Sequence, residues 1–457
     1  MSSRPSYQLT DYSVGSLREV WSISWPLMLG LLSSSLMMFA DRLYLAHYSV
    51  VSMSAMAVGG LYAFLILLLP LGICQITEVF VGRAHGKEAH DEAGRPVWQV
   101  LWIALALAPL LAAASRLTAW LLFSAGAEEV LYLVTLVDFG SFLLASISLM
   151  GFFIGIGKTK VITYATLLAN LVNLLLAPLF IFGSSFTPEM GVKGAAIATG
   201  LAQGIQALFL FFLFLRKPLR DKFQTFRWKF SKTLTKEILS LALPSCLGRM
   251  IEMVAHTFFF RIMTLAGPEQ LTLSIMIQNF LLLSFFCVDG LAKGVTTLVS
   301  NLVGAKKYGA ISAVLSSAFK VHTLISLALF VFCFFGCDWI YSSILNGPER
   351  ALLQDPQFHA SLKLGLIWLA LFFLVDGFSW ILSGQLTAIG DTRFLLLVNA
   401  LGQWITYLIP LYFLVTLAGC GAVTGWAVIA CNALVLFAVF KWRSLSKERE
   451  LTLLSNP

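Results

Sequence analysis

Charged side chains are scarce in this sequence: Asp, Glu, Lys and Arg together make up 12% of the 457 residues, against 58% hydrophobic. A water-soluble chain is about a quarter charged, so this one cannot cover itself with a polar surface. That shortage, with a mean hydropathy of +0.85, excludes a globular life in water and makes lipid the solvent. Nothing is left over for a sizeable soluble domain. Cysteine is sparse too. The seven occur singly, with no spacing of a zinc or disulfide framework, and six (Cys74, Cys246, Cys287, Cys333, Cys337, Cys431) lie in apolar runs. Buried, reduced thiols are expected. His-Glu-x-x-His, Gly-x-Ser-x-Gly and Walker A patterns are missing, which argues against an intramembrane enzyme and against an ATP-driven pump. Any pumping must then draw on an ion gradient, with no cofactor beyond the coupling ion. Residues 1–17 contain no apolar core followed by a small-residue cleavage site, so the first span is expected to stay attached as an anchor.

What is present is a series of long apolar runs. At roughly 20 residues per span, they read as twelve helices: 18–46, 54–82, 96–123, 129–156, 160–183, 192–215, 236–264, 271–303, 312–345, 359–387, 392–418 and 421–441. Their length and continuity exclude the short alternating strands of a barrel. The expected fold is an all-α membrane protein with twelve transmembrane helices in two pseudo-symmetric six-helix lobes. Residues 1–215 form the N-lobe, 216–235 a basic linker, 236–441 the C-lobe and 442–457 a tail. Most of the 31 Lys and Arg fall in the termini and in alternate loops, such as Arg83/Lys87/Arg95 and Lys306/Lys307, and most densely in Arg216–Lys236. The intervening connectors are nearly free of them. That alternation places the termini and the linker in the cytoplasm, in a multi-pass protein of the inner or plasma membrane. Stacking aromatics on a folded basic platform are lacking, so no nucleic-acid partner is expected despite the net charge of +8. A monomer in the lipid bilayer is expected.

The two halves repeat. Pro26 and Pro244 lie 218 positions apart, and so do Gly86 and Gly304 at the ends of the second helix of each half. Gly157-Lys158-Thr159-Lys160 matches Gly390-Asp391-Thr392-Arg393 at an offset of 233, and Pro178 matches Pro410 at 232. Six spans per copy make the repeat parallel, with its axis along the membrane normal, as in transporters that bind substrate at the repeat interface.

Ionisable groups within hydrocarbon cost several kcal/mol, so each needs a partner, a water-filled cavity or a function. Asp376 stands out: it lies mid-span with no basic residue within four positions, as expected of a cation or proton site. Arg249, Glu252 and His256 form a stripe on one face of the seventh helix, where Arg249 either holds Glu252 ionised or neutralises it. Asp289 and Lys293 are four apart and can pair, in a structural or a functional role. Asp138 is isolated in the fourth helix. Asp41 precedes Arg42 and is either an interfacial pair or a buried site. Glu78, Arg261 and Lys320, near span ends, are expected to snorkel to the headgroups.

Taken together, several stretches resemble the multidrug and toxic compound extrusion (MATE) transporters. They are Pro26…Asp41-Arg42, Gly155-Ile-Gly157-Lys-Thr159, Asn173…Pro178…Ile181-Phe182-Gly183, Gly191-Val-Lys-Gly194-Ala-Ala-Ile-Ala-Thr199, Leu243-Pro244 with Glu252, and Asp376 with Gly390-Asp391-Thr392. The resemblance covers nearly the whole chain. It implies a twelve-helix antiporter, not an enzyme, that expels small organic, cationic or amphipathic compounds in exchange for Na+ or H+. It also implies two cation sites: Glu252 with Asp376 in the C-lobe, able to hold Na+, and Asp41 with Asn173 and Thr199 in the N-lobe. Here Ala177 stands where other members carry a second Asp, with Asp138 in the fourth helix a candidate to compensate. On that ground the C-lobe is expected to carry the coupling ion. Arg249 and the Asp289/Lys293 pair lie outside the family pattern and are read as structural or modulating charges. The alternative, a flippase for a lipid-linked sugar or peptidoglycan precursor, would show a cationic cavity and often two more helices.

Overall fold

The computed structural model describes residues 7–124, 126–344 and 354–455, and among them helices are the only regular elements; no strand is present. Ten helical stretches are long and apolar enough to cross a membrane, and two more pairs qualify when each bent pair counts as one span. The bent pairs coincide with the expected fourth and eighth spans. Glu128–Asp138 (α5) and Gly140–Gly155 (α6) meet at 43°, at a Phe139–Gly140 step where glycine weakens the helix. The helix Pro268–Gly304 (α11) bends by the same angle between Leu281 and Ser284. There the Ser284 hydroxyl donates to the Phe280 carbonyl at 2.8 Å, a back-bond of the kind that bends helices.

The remaining helices are Leu17–Tyr48 (α1), Val50–Gln75 (α2), Thr77–Gly86 (α3), Arg95–Leu122 (α4), Thr159–Ile181 (α7), Gly191–Phe214 (α8), Lys217–Phe223 (α9), Lys232–Ala266 (α10), Ile311–Ile344 (α12), Pro356–Ile389 (α13), Thr392–Leu401 (α14) and Ala422–Ser455 (α15). Ends are set by ordinary chemistry. Ser49 caps α2 through the Val51 and Ser52 amides. Asp355 caps α13 ahead of Pro356, and Gly390, at a φ of 101°, closes it in the left-handed conformation that glycine accepts without strain. Beyond α14 the span continues to Leu417 with π-helical turns at Gly402–Leu408 and Phe413–Leu417, on either side of Pro410. The expected tail is not a separate segment: α15 runs on as one helix to Ser455. Arg443 bonds Asp391 at 2.7 Å, and Ser444 and Glu448 bond Gln385 at 2.6 and 2.8 Å.

Two compact units result. The first comprises residues 1–11, 25–246 and 300–307, the second 12–24, 247–299 and 308–457. In the first, α2 packs on α5, α7 on α8, and α6 on both α3 and α8. The basic linker is docked there rather than loose. The indoles of Trp98 and Trp102 donate to the carbonyls of Thr225 and Trp228, and Gln99 bridges Lys229 and Ser231. The repeat is visible within this unit. A methyl on Gly86 would meet the Asn301 carbonyl, and one on Gly304 would meet the Arg83 carbonyl. The repeat-related glycines thus let the ends of α3 and α11 cross backbone to backbone, each against the residue three before the other, as small residues do between membrane helices. In the second unit, buried side chains of α10, α11, α13 and α15 form one core that includes Trp426, which is fully enclosed. Large apolar side chains are left outside, Trp120 at 78% and Phe335 at 73% exposure, as expected where the outer solvent is lipid.

Cysteine burial departs from expectation in part. Cys74, Cys246, Cys333 and Cys337 are buried, but Cys287 is only partly so and Cys431 is exposed, on the lipid-type surface of α15. Glu78, expected at the headgroups, is buried at the start of α3.

Candidate functional site

In the first unit, α1 and α7 run side by side and in the same direction, tied at three levels. Thr163 donates to the Pro26 carbonyl at 2.7 Å, Asn170 to Ser33 at 2.5 Å, and Asn173 to Asp41 at 3.4 Å. The last of these is part of a closed triangle. The Asn173 amide also donates to the Thr199 hydroxyl on α8 at 3.1 Å, and that hydroxyl lies 3.4 Å from the same oxygen of Asp41. Asp41, Asn173 and Thr199 are 2%, 0% and 8% exposed. Asp41 is therefore a buried site and not an interfacial partner of Arg42, which faces outward. Two oxygens of the triangle, Asp41 Oδ1 and Asn173 Oδ1, are buried without any hydrogen-bond partner. A carboxylate oxygen left unpaired in a low-dielectric interior costs several kcal/mol unless a proton or a cation satisfies it. The residues thus fit a small hard cation or a proton: one charge, two neutral oxygen-bearing side chains, two vacant acceptors. Ala177, fully buried one turn along α7, adds only packing.

In the second unit the sequence-nominated residues also gather. The charge of Glu252 on α10 acts on Asp376 of α13 and on the hydroxyl of Tyr407, so these groups share one neighbourhood. The Trp380 indole N–H donates to Asp376. Arg249 acts on Glu252, and its guanidinium carbon sits 5.3 Å above the Trp380 ring, a cation–π stack. His256 Nδ1 lies 3.4 Å from the Tyr407 hydroxyl. Asp376, isolated on its own helix, is therefore not isolated in space: Glu252 and Trp380 are its neighbours, and Arg249 lies against both of them. Trp380 and Tyr407 escaped the sequence reading. Trp380 was within reach, being four residues beyond Asp376 and so on the same helical face; Tyr407, from a distant segment, carried no such signal.

Two other candidates are placed elsewhere. Asp138 is not isolated: Arg116 of α4 grips it with two bonds of 2.8 and 3.0 Å, the side chains 55% and 39% exposed. The sequence missed this because the partner lies 22 residues away on a neighbouring helix. No bond joins Asp138 to Asp41, Asn173 or Thr199, so the carboxylate is already committed to a guanidinium. Asp289 and Lys293 pair at 2.8 Å along α11.

The two acidic centres fall on repeat-related halves, and comparison with known proteins addresses the same point. The family model MatE matches residues 26–179 and 244–413, starting at the paired prolines. This chain is a MATE family transporter. Among similar proteins, a probable multidrug resistance protein NorM of Photorhabdus laumondii is 23% identical over 448 residues, 93% of this chain and 96% of its own. The probable NorM of Thermotoga maritima is 23% identical over 437 residues, 90% of each chain. In three dimensions, a MOP superfamily transporter from Pyrococcus furiosus aligns with a TM-score of 0.86 at 20% identity, over 99% of this chain and 100% of its own. For that protein a binding pocket of reversed polarity, and a different function, have been suggested. An outward-facing multidrug resistance MATE family transporter aligns at 0.85 and 19% identity, covering 99% of both chains. These likenesses establish the fold. The chemistry of this chain rests on its own residues.

Proposed function

We propose that this MATE family transporter exports small organic, cationic or amphipathic compounds across the cell membrane, driven by inward movement of Na+ or H+. Two six-helix lobes would alternate access around a monomer, with both termini and the docked linker on the cytoplasmic side. The observation that carries the reading is the Asp41–Asn173–Thr199 triangle, with two buried oxygens that no protein donor satisfies. A proton on Asp41, or Na+ held between Asp41 and Asn173, fills that deficit. The free energy of doing so can bias the lobe between two packings, which is what coupling requires. The relatives called probable multidrug resistance proteins support the substrate class. The sequence alone gave the C-lobe first place. The unpaired oxygens support the N-lobe as the coupling site in our reading, with Glu252 and Asp376 as a second acidic centre beside Arg249. The test is transport in proteoliposomes with Na+ and pH gradients imposed separately. A lipophilic cationic dye should move against its gradient only while one of the two is present. Dye movement sustained by ATP after both gradients are collapsed would remove the proposal.

A further inference from the structure

Arg249 is the one basic residue of the second acidic centre that carries a fixed positive charge, and the family resemblance does not supply it. Its place raises a question of competition. It sits three residues before Glu252 on α10, hence on the same face about 5–6 Å away, and its charge acts on that carboxylate. Its guanidinium is stacked 5.3 Å over Trp380 while the indole of the same Trp380 bonds Asp376. Phe285 also packs on Trp380, edge to face, with ring centroids 5.1 Å apart at 89°. Arg249 is nevertheless exposed. An arginine within a membrane span that protein does not cover is costly against hydrocarbon, so its stack on Trp380 and its carboxylate neighbour are what hold it there.

We infer that Arg249 is a tethered counter-cation that sets the ion specificity of the Glu252–Asp376 pair. This rests on the reading of the protein as a cation-coupled exporter and adds what that reading leaves open, namely which ions the second centre accepts. Two acids in one low-dielectric neighbourhood cannot both stay charged without a cation. Where the cation is part of the chain, a free Na+ must compete with it at every encounter, and it does so with no gain in net charge neutralised. A proton meets the same charge but, taken up in a covalent O–H bond on one carboxylate, needs no coordination shell of several oxygens and so no room between the pair and the guanidinium. The guanidinium's stack on Trp380 gives it a parking position beside the pair, close enough to act on Glu252 without chelating it. The C-lobe pair of this chain is thus biased against alkali cations, although the same two carboxylates without Arg249 would suit one. Arginine serves better than lysine as a stacked plane, but the bias itself is a matter of charge.

The test is equilibrium binding of radiolabelled Na+ to purified protein in lipid nanodiscs, all in an Asp41→Asn background so that the N-lobe triangle is silent. Arg249→Gln is expected to tighten Na+ binding by about tenfold or more, since removing a like charge about 6 Å away leaves the carboxylates to the ion alone. Arg249→Lys, which keeps the charge, should stay within about threefold of the background protein, a change worth only about 0.6 kcal/mol. Adding Asp376→Asn to Arg249→Gln should abolish the gain, locating the ion at the pair. Na+ affinity unchanged or weakened by Arg249→Gln overturns the proposal, and so does a gain that survives Asp376→Asn. The parent reading is judged separately, by dye transport of the native protein in proteoliposomes with Na+ and pH gradients imposed one at a time. Either conclusion can fail while the other stands. Trp380 fluorescence, with Trp380→Phe as reference, gives an independent signal, because the guanidinium leaves that ring in Arg249→Gln.

Discussion

Asp41→Asn is the substitution that most directly tests the N-lobe triangle. The change is nearly isosteric. It keeps an oxygen where Asn173 donates at 3.4 Å, and the 3.1 Å bond from Asn173 to Thr199 does not involve it. What it removes is the charge, and with it the unsatisfied carboxylate oxygen. Two unit charges about 3 Å apart at an effective dielectric of about 20 attract by about 5 kcal/mol. The neutral amide recovers part of that through its dipole. Even if only about a third is lost, about 1.8 kcal/mol, affinity for a bound Na+ falls about twentyfold. If the ion is a proton the loss is complete, because an amide does not titrate near neutral pH. Folding should be unharmed, since a buried unpaired charge is itself destabilising. Melting of the purified protein is therefore expected at or slightly above the native temperature. The assay is dye export from proteoliposomes under an imposed Na+ or pH gradient, paired with Na+ binding. Native gradient-driven export and native ion affinity in Asp41→Asn would refute the reasoning, and the Glu252–Asp376 pair would then regain first place.

Asp138→Asn should lower the melting temperature by a few degrees, because it leaves Arg116 ungripped, while the double variant Arg116→Gln/Asp138→Asn should recover most of the loss. Export per folded molecule should not change, and a loss of coupling in the double variant would return Asp138 to the site. Gly86→Ala and Gly304→Ala should each cost about 1–3 kcal/mol by forcing apart the crossing of α3 and α11, read as lower melting temperature and yield; native stability in both would refute the close backbone approach. In a background without the native cysteines, single cysteines at Lys222 and Gln354 should label with an impermeant reagent from opposite sides of the membrane, and labelling of both from outside would overturn the six-plus-six topology.

The sequence by itself determined the solvent, and with it the fold class. Long apolar runs in a chain with so few charges can satisfy their backbone in lipid only as helices, a conclusion that needs no tertiary contact. The repeat was equally legible, since the spacing of Pro26 to Pro244 and of Gly86 to Gly304 is a property of the string. So was the set of unusual polar residues, because an acid or an arginine inside hydrocarbon announces itself by cost alone. What the string could not carry was pairing across distance. Asp138 read as isolated because Arg116 lies on another helix. Asp376 read as isolated because Glu252, which acts on it, and Arg249, which stacks on its partner Trp380, lie more than a hundred positions away. Asp41 read as a possible surface pair because its neighbour in sequence, Arg42, points away from it. An ionisable group's function depends on the charges and donors within a few ångströms, and in a helical bundle those come mostly from other helices. Only the tertiary structure decided that Asp41 keeps an unsatisfied oxygen while the Glu252–Asp376 pair keeps a guanidinium beside it.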